Sequence, residues 1–71
     1  MGKLMVKIIQ DTCDGFYEDL IGKEFEVIEV ENTEDDEIKM YKIRIDRPSY
    51  DPYLEGKFEE LVASTDIEIV S

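Results

Sequence analysis

Apolar and polar positions alternate along this chain in short segments separated by acidic or glycine- and proline-bearing turns, the spacing expected of a small β domain. Residues 4–9, rich in β-branched side chains, read as a first strand. Residues 11–22 follow as a long loop with Asp14-Gly15 as its turn signal. Inside that loop, 16–21 fits a short helical turn capped by Asp14 and stopped by Gly22. Residues 23–30 form a second strand whose pattern slips: Phe25 and Val27 share one face, whereas Ile28 and Val30 lie on the other. The slip predicts a β-bulge or sharp bend, which lets one strand serve two faces of a closed barrel.

Residues 31–37 are an acidic turn, and 38–46 alternate cleanly as a third strand, with Tyr41, Ile43 and Ile45 opposite Lys42 and Arg44. A second long connection, 47–56, carries Pro48 and Pro52. Residues 57–62 suit either a short strand or a helical turn, and 66–70 close the fold with Ile67 and Ile69 inward. The fold expected is mainly β: a single small SH3-like barrel spanning 1–71, of about five strands with one short helix or helical turn. Its core is expected from Val6, Ile8, Phe25, Val27, Tyr41, Ile43, Ile45, Phe58, Leu61, Ile67 and Ile69, joined by Phe16.

Charge changes this picture more than composition does. Nineteen acidic residues against eight basic ones, and no histidine, give a formal charge of −11 over 71 residues. Such a surface repels nucleic acid and anionic membrane within a Debye length. An apolar share of 42% argues against wholesale disorder. The single cysteine, Cys13, allows no internal disulfide and has no histidine to activate it, so a half-buried thiol in a reducing cytoplasm is expected. Residues 4–9 are too short for a signal-peptide core or a membrane span, and Val6 stands where a myristoylation motif needs serine or threonine.

Catalytic and metal motifs do not emerge. The 31–37 turn lacks the central glycine and ligand spacing of a calcium loop and reads as a solvated hairpin tip. Asp11 and Asp14 beside Gly15 suit turn hydrogen bonds. Half of the basic residues, Lys39, Lys42, Arg44 and Arg47, lie in or just after the third strand. They form a possible phosphate-contacting stripe, but Glu24, Glu26, Glu29 and Glu31 of the preceding strand are placed to neutralise it. No enzyme activity, cofactor or metal is expected.

Aromatic residues in the loops give the positive signal. Tyr17 in the first loop, and Tyr50 and Tyr53 beside Pro52 in the second, suit an interface because tyrosine combines contact area with a polar tip. The site expected is one partly exposed patch of Tyr17, Tyr50, Pro52 and Tyr53 bordered by Glu18, Asp19, Asp51 and Glu55.

The chain length, the stretch GKEFEVIEVE at 22–31 and the stretch YDPYLEGKFEELVASTDIEIV at 50–70 resemble the YorP family, small proteins encoded by Bacillus prophages. The resemblance covers essentially the whole chain. It implies a β domain of about five strands with one helix between two of them, and it brings no activity and no functional motif. Together, these readings favour a cytoplasmic, non-enzymatic, acidic protein-binding module acting on a phage or host partner, a basic one for preference. The alternatives are a small-barrel nucleic-acid-binding protein using the 39–47 strand, or a DNA mimic.

Overall fold

The slip in the second strand organises the molecule. The computed structural model describes residues 3–32 and 39–70. Its five strands are β1 (Met5–Ile8), β2 (Glu24–Asn32), β3 (Lys39–Arg44), β4 (Glu59–Ala63) and β5 (Ile67–Ile69). They pair antiparallel in the order β4-β3-β2-β1-β5. The first part of β2 faces β1, with Phe25 opposite Val6. The second part faces β3: Val27 lies opposite Ile43, but Glu29 lies opposite Lys42, so the register shifts at Ile28. One extra residue on one strand raises the local twist and bends it. β2 thereby belongs to both halves of the sheet, as a small SH3-like barrel requires.

The strands enclose one core of Val6 and Ile8 from β1, Ile43 from β3 and Val62 from β4, completed by Tyr17, Leu20 and Ile45 from the connections. Cys13, Phe16, Phe25, Val27, Tyr41 and Ile67 are partly buried against it. Three expected core residues, Phe58, Leu61 and Ile69, lie elsewhere. Phe58 is 52% exposed and Ile69 58% exposed. Phe58 precedes β4 at the sheet's rim, where its carbonyl accepts from the Ile45 N–H at 3.0 Å. Ile69 sits on an edge strand with a neighbour on one side only. Residues 59–63 adopt the strand alternative, which turns Glu60 and Val62 inward and leaves Leu61 half-buried.

Helical structure among the described residues consists of three single 3-10 turns, Glu18–Leu20, Pro52–Leu54 and Ser64–Asp66. Asp14 does not cap the first. It adopts φ +55° ahead of Gly15 at +82°. No side chain caps that turn; Asp11 instead ties the loop leading into it, its carboxylate accepting from the N–H groups of Cys13 (2.8 Å) and Tyr17 (3.1 Å). Gly22, at φ +89°, ends the loop as expected. Most of the acidic turn, from Thr33 to Glu37, lies outside the described residues, as does Ile38.

Candidate docking surface

Each long loop is fastened to the barrel by one buried carboxylate. Asp66 is fully buried at the end of the third 3-10 turn. It accepts from the Thr12 N–H at 2.9 Å, from the Thr12 hydroxyl at 2.8 Å and from the Tyr17 hydroxyl. The Tyr17 oxygen in turn accepts from the Ala63 N–H at 3.3 Å. Burial raises the Asp66 carboxyl, but the hydrogen bonds from Tyr17 and Thr12 outweigh it and hold the group below its ordinary range. Burial, then the bond to Asp66, pushes the Tyr17 phenol far upward, so it remains a neutral donor.

Glu60 does the same for the second loop. It is fully buried on β4 and accepts from the Ser49 hydroxyl at 3.2 Å and the Tyr50 N–H at 3.4 Å. Burial raises its pKa, and Ser49, Tyr50 and Arg47 only partly offset this. The rest of the loop is tied by its own backbone and by side-chain caps. Ser49 N–H donates to the Lys57 carbonyl at 2.8 Å, and Asp51 caps the Pro52–Leu54 turn by accepting from the Tyr53 N–H at 2.9 Å. Leu54 is drawn inward, to 6% exposed. With Leu54 anchoring the turn, its neighbours point away: Tyr50 is 59% and Tyr53 91% exposed.

Arg47 joins the two loops. Its Nε and one terminal nitrogen donate to the two Asp19 oxygens at 2.7 and 2.9 Å. The guanidinium also donates to the carbonyls of Phe16 and Pro48, both at 2.9 Å, and approaches Glu60 at 3.5 Å. Its carbon lies 3.9 Å above the Tyr50 ring centroid. The Arg47 hydrogen bonds hold the Asp19 carboxyl below the usual range. For Arg47 itself, burial works downward and the pairing with Asp19 prevails, raising its pKa.

The expected patch is therefore partly assembled and partly corrected. Tyr17 does not belong to it: the ring is fully buried and its hydroxyl is spent on Asp66. Asp19 and Tyr50 do meet, on two sides of one guanidinium. Glu18, Pro52, Tyr53 and Glu55 are exposed and Asp51 is half-buried. Glu60 and Asp66 carry no signal in the sequence that sets them apart from the other acidic residues, and Arg47 belongs to the loops and not to a phosphate-contacting stripe. Arg47 follows a strand of alternating charge and reads there as the end of a stripe; its partner Asp19 stands 28 residues away with no local signal.

The basic stripe itself divides. Lys42 pairs with Glu29 at 3.1 Å and Glu31 at 3.8 Å on β2, as the cross-strand argument expects. Arg47 turns to the loops, and Arg44 stands opposite Glu59 of β4, at an open depression shared with Lys57 and Phe58. Among the described residues no three His, Cys, Asp or Glu side chains converge on a metal position, and no helix is long and apolar enough to cross a membrane. Compared with protein-family models, curated proteins and solved structures, the chain matches none.

Proposed function

We propose that this protein is a non-enzymatic docking module whose second long loop binds an extended segment of a basic protein partner. The observation that carries the reading is the pair of exposed rings, Tyr50 and Tyr53, on a loop that is internally tied rather than loose. Exposed aromatics on a preorganised loop lose little entropy on binding, and that is what gives an interface its affinity. The net charge of −11 favours a partner with lysine or arginine beside its apolar residues and speeds their encounter. A cytoplasmic module of prophage type, as the likeness to the YorP family suggests, agrees with the lone thiol of Cys13.

Fluorescence anisotropy with labelled proline-bearing peptides, with and without flanking lysines, tests the reading. The lysine-flanked peptide should bind more tightly, lose affinity as sodium chloride is added, and fail to bind a Tyr50→Ala, Tyr53→Ala variant that melts like the parent. Equal binding by that variant would remove the tyrosines from the site. Tighter binding of mixed-sequence DNA than of either peptide would replace a protein partner with nucleic acid.

A further inference from the structure

Arg47 uses its guanidinium more fully than a surface ion pair needs. Both Asp19 oxygens, two backbone carbonyls on different loops and the Tyr50 ring surround one side chain, which is itself only 15% exposed. Lysine has no planar fork and makes neither the bidentate pair nor the stacked contact in this form. Three consequences follow from the geometry. The first loop, through Phe16 and Asp19, and the second, through Pro48 and Tyr50, are one mechanical unit. Asp19 is already committed and contributes little attraction for an incoming cation. One face of Tyr50 is covered by the protein's own cation, so a partner's lysine or arginine has no place on that face.

We infer that Arg47 is the positioning residue that locks the two loops into one docking surface, and that by covering one face of Tyr50 it selects a partner that lays an apolar side chain, not a cation, against that ring. The partner's basic residues are then left to the exposed carboxylates of Glu18 and Glu55. This rests on the docking reading for its partner and stands independently of it for the lock.

The two parts are separable by experiment. In 1H–15N spectra of the parent, the Arg47 Nε–H should resonate upfield under the Tyr50 ring and exchange slowly. A Tyr50→Leu variant should move that signal and the amides of Phe16, Asp19 and Leu20, which lie some thirty positions away in sequence. Arg47→Lys, which keeps a cation near Glu60, should move the amides of both loops together. Unchanged first-loop amides in Tyr50→Leu would overturn the lock, whether or not any ligand binds. For the partner, a peptide with a central leucine between lysines should bind the parent roughly tenfold more tightly than the same peptide with arginine at the centre, a difference of the size of one cation–π or apolar contact. Arg47→Lys should shrink that preference. Equal affinity for the two peptides would overturn the selection, and binding of neither would overturn the docking reading with it while the spectra still decide the lock.

Discussion

Tyr17 and Asp66 form the most demanding pair of side chains in the molecule. Both are fully buried, and the phenol both donates to the carboxylate and accepts from Ala63. Tyr17→Phe removes one donor to Asp66 and leaves the buried Ala63 N–H without its acceptor. A buried polar group left unpaired costs about 1–3 kcal/mol, and urea denaturation should show a loss in that range with an unchanged slope. A loss below about 0.5 kcal/mol, the scale of an ordinary surface change, would mean that water replaces the hydroxyl. Nothing in the sequence distinguishes Asp66 from the other acidic residues, because its burial depends on donors 54 and 49 residues distant. A tyrosine in a loop likewise reads as surface until its partner is known. Phe16 was legible for a simpler reason: it has no polar group to satisfy and packs against the core.

At the scale of elements, local chemistry was readable wherever it acts within a few residues. The slip between Val27 and Ile28 marks the bulge, and the alternation from Tyr41 to Ile45 marks β3, because side-chain period reports directly which face is buried. Gly22 was readable as a stop because only its φ of +89° turns the chain into β2. Gly22→Ala meets no atom within 4 Å, so its effect is purely that of forcing a β-carbon into a left-handed conformation, about 1–2 kcal/mol. Thermal melting should show a correspondingly lowered midpoint with the same cooperativity; no change would mean that the loop end relaxes to a different turn. Phe58 and Ile69 were misread for the converse reason. Their spacing suits an inward position, but exposure at the rim and at an edge strand is decided by what lies alongside, and that belongs to topology.

For the molecule as a whole, the two buried carboxylates respond to acid in opposite senses. Glu60 is raised by burial, so its folded pKa exceeds the unfolded value of about 4.3. Keeping it ionised costs stability near neutrality, and that cost is relieved as pH falls through its folded value. Asp66 is held below the unfolded value of about 3.9, so its contribution is complete above that pH and is lost as pH falls further, through its lower folded value. Protonation of other carboxylates also relaxes the repulsion of a chain at −11. The melting temperature should therefore rise from about pH 7 towards about pH 5 and fall below about pH 4. Glu60→Gln should flatten part of the rise. A melting temperature that drops steadily from neutrality would show that ionised pairs such as Arg47–Asp19 outweigh both the repulsion and the buried carboxylate.

The tether between Asp66 and the first loop also sets an order of events during synthesis. Thr12 and Tyr17 leave the ribosome long before the residue that fixes them, and β1 must wait equally for β5, which pairs with it through Val6 and Ile69. Until then the nascent chain holds β1, β2 and the first loop with a tyrosine hydroxyl and a threonine amide unanswered. Pairings this distant in sequence slow folding, because loop closure is costly before any contact rewards it. A chain halted before residue 66 would expose these groups together with the apolar side chains beneath them, a form suited to chaperone capture or proteolysis.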